Sequence, residues 1–293
     1  HCPDQYSFGS ELLAAPFLTP LDPDTRLSRQ VVWLPPGEWY NFFHGDRYSG
    51  DGWQAVYGRL DYIPLFAKAG AIVPLAAPTL STHNNTANPT QLEVHCFPGG
   101  NNAYWLYEDN GLNQSSLIPI SQTWSPKQWS LSAGPADGST GHLPTTREFG
   151  FLFRQVGPNT AVTATLNHQP TTLPSSYDVD TATLRITAAG VTPQDTLTIT
   201  LSTANDTLMV ARDGRLAICR RLLQEFRLNT RVKENLYHQL PQIIDNPAAL
   251  EPYTLSLTTS QRRALLEIIT GAGCDRRPTR RSQDEVVLLW QNG

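Results

Sequence analysis

Two stretches near the start of the chain carry most of the information about its fold. The first runs Val31-Val32-Trp33-Leu34-Pro35-Pro36-Gly37-Glu38-Trp39-Tyr40-Asn41-Phe42-Phe43-His44-Gly45, and the second runs Leu60-Asp61-Tyr62-Ile63-Pro64-Leu65-Phe66-Ala67-Lys68-Ala69-Gly70-Ala71-Ile72-Val73-Pro74-Leu75. Short apolar and aromatic runs that stop at Pro and Gly are typical of β-strands joined by turns. The pattern therefore predicts antiparallel β-structure, with residues 63–67 and 71–75 forming a hairpin around Ala69-Gly70.

Length and composition indicate more than one folded unit. The chain has 293 residues, which exceeds the usual size of a single hydrophobic core. Hydrophobic residues make up 40% and charged residues 16%, with seven Trp, as expected for a folded β-rich protein. The net charge of −4 predicts neither nucleic acid nor an anionic membrane as a partner, and no apolar run is long enough to span a bilayer.

Further ordered segments lie on both sides of this region. The chain begins His1-Cys2-Pro3-Asp4-Gln5-Tyr6-Ser7-Phe8-Gly9-Ser10-Glu11-Leu12-Leu13-Ala14-Ala15-Pro16, without the pattern of a signal peptide. Downstream, Gln91-Leu92-Glu93-Val94-His95-Cys96-Phe97-Pro98-Gly99-Gly100 leads to Ala103-Tyr104-Trp105-Leu106-Tyr107-Glu108-Asp109-Asn110-Gly111. The Gly-Asn runs predict hairpin turns at Asn101-Asn102 and at Asp109-Asn110-Gly111.

These segments, over about residues 4–112, resemble the C-terminal β-domains that follow the catalytic barrel in glycoside hydrolase family 31, the α-glucosidase and α-xylosidase family. The resemblance implies that the chain begins in mid-protein. The fold we expect is mainly β: two consecutive antiparallel β-sandwich-type domains followed by a helical C-terminal extension. The expected boundaries are the end of the barrel region with the proximal sandwich at 1–75, a linker at 76–90, the distal β-domain at 91–205 and a basic helical extension at 206–293.

The resemblance does not cover residues 206–293, where the residue pattern changes. Thirteen Lys and Arg residues stand against ten Asp and Glu residues in this segment. Two groups keep a helical spacing, Leu216 to Phe226 and Leu265 to Ile269. Thr258 with Gln261, or Ser260 alone, could cap the second helix, and Gly271 suits its C-terminus. The arginines at 276, 277, 280 and 281 form either a solvated turn or a binding patch, and residues 285–290 form a strand or a docked segment.

The chain carries no expected catalytic residue. Retaining glycosidases use two carboxylates about 5–5.5 Å apart. In the resembled family these are Asp residues of the barrel, one in a Trp-x-Asp-Met-Asn-Glu-like stretch that is absent here, where Met209 is the only Met. Glu108 and Asp109 are adjacent in a strand and should point to opposite faces, so Asp109 is expected to stabilise a turn. We therefore expect residues 1–293 alone to be inactive.

No cofactor or metal site is predicted. The seven histidines (1, 44, 83, 95, 142, 168 and 238) have no metal-binding spacing. The cysteines at 2, 96, 219 and 274 are isolated, so buried free thiols are expected, with a disulfide still open. Short glycosylation sequons at 84–86, 113–115 and 205–207 say little about the compartment.

Three functions remain open at this point. The first is an accessory part of a family-31-like retaining α-glycosidase that hydrolyses or transfers α-linked glucosyl or xylosyl units. Its partners would be the catalytic barrel half, the carbohydrate substrate and a further copy in a homo-oligomer. The second is an autonomous carbohydrate-binding β-sandwich, and the third is a protein-interaction module that acts through the helical tail. The aromatics of the β-units are expected to fill the core rather than to form a sugar platform: Trp33, Trp39, Tyr40, Trp53, Trp105, Trp124 and Trp129.

Overall fold

The computed structural model describes residues 2–77, 87–210 and 214–271. Seven strands form the first unit: β1 (Tyr6–Phe8), β2 (Leu12–Ala14), β3 (Ser28–Leu34), β4 (Glu38–Asn41), β5 (Arg47–Ser49), β6 (Gly52–Gly58) and β7 (Leu65–Lys68). They build a five-stranded sheet, here sheet A, in the order β1-β2-β7-β4-β5, and a two-stranded sheet B of β3 and β6. All pairings within these two sheets are antiparallel.

Twelve strands form the second unit: β8 (Ile72–Ala76), β9 (Gln91–Cys96), β10 (Asn102–Asp109), β11 (Ser115–Ser125), β12 (Gln128–Ala133), β13 (Asp137–Gly138), β14 (Arg147–Arg154), β15 (Ala161–Leu166), β16 (Gln169–Thr171), β17 (Ser175–Asp178), β18 (Thr183–Val191) and β19 (Leu197–Ser202). Sheet C has the order β17-β18-β14-β9-β8. Sheet D has the order β10-β11-β12-β19-β15-β16, and β13 also pairs with β11. The main core lies between sheets C and D.

The helices follow as α1 (Gly214–Glu225), α2 (Thr230–Asp245), a 3₁₀ helix (Pro247–Tyr253) and α3 (Thr259–Thr270). Their apolar faces form one core together with Leu27 and Tyr57 of the first unit. None of the helices in the described ranges has both the length and the apolar character needed to cross a membrane. The expected mainly β fold with a helical C-terminal extension is confirmed.

Sheet A is covered on both faces. Leu13 and Phe66 pack against Val32 and Leu34 of sheet B. On the opposite face, Leu12, Tyr40 and Ala67 pack against Val73 and Phe97 of the second unit. The layers therefore run helices, sheet B, sheet A, sheet C and sheet D. Trp39 packs towards sheet B and Tyr40 towards sheet C, so the expectation that this strand is covered on both sides is confirmed.

The predicted hairpin around Ala69-Gly70 is wrong. β7 pairs with β2 and β4 in sheet A, whereas β8 pairs with β9 in sheet C. The chain crosses between the sheets at Gly70, whose φ of +82° lies in the left-handed region, and a Cβ there would lie 3.0 Å from the carbonyl oxygen of Gly100. Gly70 therefore allows the backbones of the two crossing segments to approach each other closely.

The predicted hairpin turn at Asn101-Asn102 is also wrong. β9 lies in sheet C and β10 in sheet D, so residues 97–101 form a second crossover. Side chains tie the two crossovers together, since Asn102 Nδ2 donates to Glu11 Oε2 at 2.8 Å and to the Gly70 carbonyl at 3.0 Å. Gln122 Nε2 donates to the carbonyls of Gly70 and Phe97 at 2.9 and 3.0 Å.

Two further features departed from expectation. β9 pairs with β14 in parallel, with Gln91 opposite Glu148, although only antiparallel pairs were predicted. α2 was not predicted, although Leu236, Leu240, Ile243 and Ile244 keep a helical spacing and are buried. Pro241 lies inside this helix, where proline ordinarily breaks the pattern.

Several local predictions are confirmed. The turn Asp109-Asn110-Gly111 joins β10 to β11, and α3 begins with a capping box of Thr258 and Gln261 and ends at Gly271 with φ of 63°. Cys2, Cys96 and Cys219 form no disulfide, and Cys96 and Cys219 are buried while Cys2 is half-buried. Cys274, the basic patch at 276–281 and residues 285–290 lie outside the described residues, as does 78–86 of the predicted linker.

Candidate interaction surface

An aromatic cluster closes one end of sheet A. The ring of Tyr62 lies 5.6 Å from those of Phe43 and His44 and 6.4 Å from that of Phe17, measured between centroids. Asn41, at the end of β4, donates from Nδ2 to the Tyr62 hydroxyl at 2.6 Å. Its Oδ1 accepts from the backbone N–H groups of Phe43 and His44. One asparagine thus fixes the turn that carries two of the four rings.

Exposed apolar side chains surround this cluster. Tyr6 pairs with Ala14, and Ala14 pairs with Leu65, so Tyr6 lies at the same end of the sheet as the loop before β7. Within the described residues, seven of the fifteen large hydrophobic residues with exposed side chains lie before residue 64. We call six of them the apolar edge: Tyr6, Phe8, Leu18, Phe43, Leu60 and Ile63. Exposed apolar groups concentrated in this way mark surfaces that contact another protein segment or a ligand.

A cleft of about 290 Å³ lies next to the cluster, between the first unit and α1. Asp46 and Arg221 form a hydrogen-bonded ion pair in its wall, and the Asp46 side chain is buried. Burial, and then the positive charge of Arg221, lower the pKa of His44 below its usual value. The charges in this cleft are paired across the two elements, which fastens α1 to the first unit.

Glu108 and Asp109 have separate structural roles. Both carboxylate oxygens of Glu108 accept from Arg147, from Nη1 and Nη2 at 2.9 Å each, and both side chains are buried. Asp109 Oδ1 accepts from the backbone N–H of Gly111 at 2.7 Å. The expected turn-stabilising role of Asp109 is confirmed. Glu108 holds β10 against β14, which the sequence did not indicate.

The described histidines lie on separate elements of the fold. In residues 2–77, 87–210 and 214–271, no three His, Cys, Asp or Glu side chains come together as a potential metal site. His95 is buried and packs on the ring of Phe42, with centroids 4.9 Å apart. Burial, and then the nearby charge of Arg154, lower the pKa of His95 to about 4 despite the opposing influence of Glu93.

The tryptophans divide between core and surface. Trp129 is fully buried and donates from Nε1 to Gln122 Oε1 at 3.1 Å, as expected for a core residue. Trp33 and Trp53 lie opposite each other on the outer face of sheet B and are half-buried, with ring centroids 5.5 Å apart. Trp105 is 57% exposed, so the expectation of a core role is wrong for this residue.

Sequence reasoning did not single out the apolar edge. One signal was present, because the apolar run begins at Tyr62-Ile63 while the strand begins only at Leu65. Aromatic residues that precede a strand can fill a core or cover a surface, and the residue pattern does not distinguish these cases. Their position is decided by the pairing of β1, β2 and β7.

Comparison with known proteins agrees with the expected resemblance. Residues 1–73 match the glycosyl hydrolase family 31 C-terminal domain. An alpha-xylosidase from Saccharolobus solfataricus is 31% identical over 142 residues, which cover 46% of this chain and 18% of the relative. Alpha-glucosidase 2 from Bacillus thermoamyloliquefaciens is 28% identical over 37% of this chain and 13% of its own length. The chain thus spans less than a fifth of the length of these relatives.

A solved structure shares the fold. The GH31 dextranase from Flavobacterium johnsoniae, complexed with glucose, superposes with a TM-score of 0.56. The match covers 68% of this chain and 27% of the dextranase at 20% identity, and it shows the fold alone. Together with the sequence matches, it confirms the resemblance to the C-terminal portion of glycoside hydrolase family 31.

Proposed function

We propose that this chain, whose residues 1–73 match the family 31 C-terminal domain, is the C-terminal accessory part of a retaining α-glycosidase. The whole enzyme would hydrolyse or transfer α-linked glucosyl or xylosyl units through a covalent intermediate. The curated relatives include an alpha-xylosidase and an alpha-glucosidase, which supports this class of substrate. The chain itself would supply support for the catalytic barrel, and we assign it no catalytic residue.

The observation that carries this proposal is the apolar edge within the family-matched segment. Tyr6 and Phe8 project from the edge strand of sheet A, and Phe43, Leu60 and Ile63 lie in the turns beside it. A water-exposed aromatic side chain gains roughly 1.5–3 kcal/mol when a partner buries it fully. We propose that the barrel covers this edge. The internal contacts of Asn41 and Tyr62 would keep the surface preformed.

A chimeric enzyme tests this proposal. This chain would replace the matching segment of the Saccharolobus solfataricus alpha-xylosidase, and hydrolysis of an aryl α-xyloside would be compared with that of the enzyme lacking the segment. We expect the chimera to recover activity. We also expect Tyr6→Ser with Phe8→Ser to lower its melting temperature, while Leu255→Ser, at a fully exposed site in the turn between the 3₁₀ helix and α3, leaves it unchanged.

The isolated chain tests the prediction that it has no catalytic activity of its own. Residues 1–293 should not cleave aryl α-glucosides or α-xylosides above the uncatalysed rate. Turnover that survives repurification and disappears after a point mutation in this chain would overturn the accessory role. Equal melting temperatures for the chimera with and without the Tyr6 and Phe8 changes would mean that the barrel does not cover the apolar edge.

A further inference from the structure

The outer face of sheet D is a second exposed surface, remote in sequence from the apolar edge. Side chains directly opposite one another in neighbouring strands share a face. Ser121 lies opposite Ser132, and Ser132 lies opposite Thr198, which in turn lies opposite Thr165. The next row on the same face, two residues further along each strand, is formed by Thr123, Ser130, Thr200 and Thr163. Two rows of four hydroxyl side chains therefore cross four strands.

These hydroxyls are available to a ligand. Ser130 and Thr200 share a hydrogen bond at 3.1 Å, and Thr163 donates to the Thr200 carbonyl at 3.4 Å. The other five hydroxyls make no side-chain hydrogen bond within the described part of the chain: Ser121, Thr123, Ser132, Thr165 and Thr198. Each hydroxyl offers one donor and two acceptor positions. No charged side chain stands in either row, so the rows offer hydrogen-bonding groups but no net charge.

Aromatic residues border the hydroxyl rows along the edge strand β10. Trp105 and Tyr107 are two residues apart, so their side chains leave the same face about 7 Å from each other. They are 57% and 59% exposed. Their cross-strand neighbours are Pro119 and Leu117, which continue the apolar character of this face onto β11. Asp137 lies opposite Leu117, in the same row as Tyr107, and Asp109 lies beyond Tyr107, so both acidic side chains stand outside the two hydroxyl rows.

We infer that this face binds a neutral polysaccharide, with Trp105 and Tyr107 stacking on sugar rings and the hydroxyl rows bonding to sugar hydroxyls. We call it the hydroxyl face, defined by the two rows together with Trp105 and Tyr107. Aromatic side chains offer a large rigid apolar surface with a polar tip, which suits the C–H face of a pyranose and its hydroxyl rim. The absence of charge from the rows matches an uncharged polymer rather than an anionic one.

A protein partner fits this face less well. Protein interfaces are enriched in aromatic residues and Arg but depleted in Ser relative to the rest of the surface. Here three Ser and five Thr stand in the rows, and no Arg is among them. The same composition distinguishes the hydroxyl face from the apolar edge, which has aromatic and aliphatic side chains and no comparable rows.

Affinity electrophoresis of the full chain tests the inference. Native gels would contain dextran, soluble starch or hydroxyethyl cellulose, and mobility would be compared with a gel without polymer. The choice of the two α-glucans rests on the proposed function, whereas the polysaccharide class rests on the geometry. We expect retardation by at least one of these polymers. Trp105→Ala and Tyr107→Ala should each weaken the apparent affinity about tenfold or more, as a stacked ring is lost.

Matched variants separate binding from folding. Phe8→Ala removes a 63% exposed aromatic from the first unit and should leave retardation unchanged. Ser121→Lys places a long side chain beside Trp105 and should weaken binding, with no change in melting temperature because Ser121 is exposed. Retardation by the cellulose derivative alone, lost in Trp105→Ala, would support the binding face while leaving the α-glycosidase proposal to its own assay.

Three results would overturn the inference. The first is the absence of retardation by all three polymers. The second is retardation that Trp105→Ala and Tyr107→Ala leave intact. The third is a concentration-dependent dimer in sedimentation velocity that Trp105→Ala dissociates, because this would assign the face to a second copy of the chain.

Discussion

At the scale of single residues, Glu108 and Arg147 form a buried ion pair in the second unit. Both side chains are buried and joined by two parallel hydrogen bonds of 2.9 Å. Arg147→Met leaves the Glu108 carboxylate buried without its partner, and we expect unfolding free energy to fall by about 3–5 kcal/mol. Urea denaturation measures this loss.

Two variants sharpen this prediction. The double change Glu108→Leu with Arg147→Met should be less destabilising than Arg147→Met alone, because no charge remains buried. Arg47→Met removes the partly exposed pair with Glu38, at 2.5 Å, and should change stability by less than about 1 kcal/mol. Equal losses for the buried and the exposed pair would contradict the argument.

His95 gives the fold a dependence on pH. Its pKa in the folded state is lowered to about 4 by burial, and then by Arg154, from an ordinary value of 6.5. The unfolded chain therefore binds a proton more readily between these values. The stability contribution is complete above pH 6.5 and is lost as pH falls towards 4, at up to about 1.4 kcal/mol per pH unit.

The corresponding variant is His95→Gln, which cannot titrate in this range. The difference in melting temperature between pH 7 and pH 5 should be smaller for His95→Gln than for the unmodified chain. His168→Gln, at an exposed turn, should keep the full difference. An unchanged pH profile for His95→Gln would show that other groups produce the acid sensitivity.

At the scale of elements, α3 depends on its first turn. Thr258 Oγ1 accepts from the N–H of Gln261, and the Gln261 side chain accepts from the N–H of Thr258. Gln261 also donates to the carbonyls of Asp24 and Arg227, which joins the helix cap to the first unit. The cap is therefore both a local helix signal and a tertiary contact.

Substitution separates these two roles. Thr258→Ala should lower the unfolding free energy by about 1 kcal/mol, whereas Thr258→Ser keeps the hydroxyl and should change it by a few tenths. Gln261→Ala should be more damaging than Thr258→Ala, because it also removes the donor to the Arg227 carbonyl and one of the two donors to the Asp24 carbonyl. Chemical denaturation of the three variants gives the comparison, and a milder effect for Gln261→Ala would refute the tertiary role of the cap.

At the scale of the whole molecule, a buried carboxylate fastens the helices to sheet B. Arg29 donates from Nε and Nη2 to Glu267 of α3 at 2.8 and 2.7 Å, and the Tyr57 hydroxyl donates to the same carboxylate. Arg29→Met should weaken docking by about 2 kcal/mol, since hydrogen bonds to charged groups contribute about 1.5–3 kcal/mol.

Hydrogen exchange would show where this weakening acts. Amides of α3 should exchange roughly tenfold or more faster in Arg29→Met, while amides in the core between sheets C and D keep their rates. Arg59→Met removes the more exposed contact with Glu225, at 3.9 Å, and should leave α3 unchanged. Uniform acceleration over all units would instead mean that the molecule opens as one body.

The sequence by itself determined the features that local chemistry controls. A short apolar run predicted the strand at 71–75, Asp109-Asn110-Gly111 predicted a hairpin, and Thr258 with Gln261 predicted a helix start. The ordered segments before residue 112 also carried the family resemblance. Each of these signals lies within a few residues or within one continuous segment, so no knowledge of distant partners was needed.

Only the tertiary structure decided which strands pair and which faces stay open. β7 and β8 are neighbours in sequence yet join different sheets. β7 pairs with the distant β2, with Leu12 opposite Ala67, whereas β8 pairs with β9, the next strand along the chain. The alternation in β10 fixed that Trp105 and Leu106 point to opposite faces, but not which face a second sheet would cover. Burial depends on what packs above a surface, and that information is distributed over segments that meet only in the folded molecule.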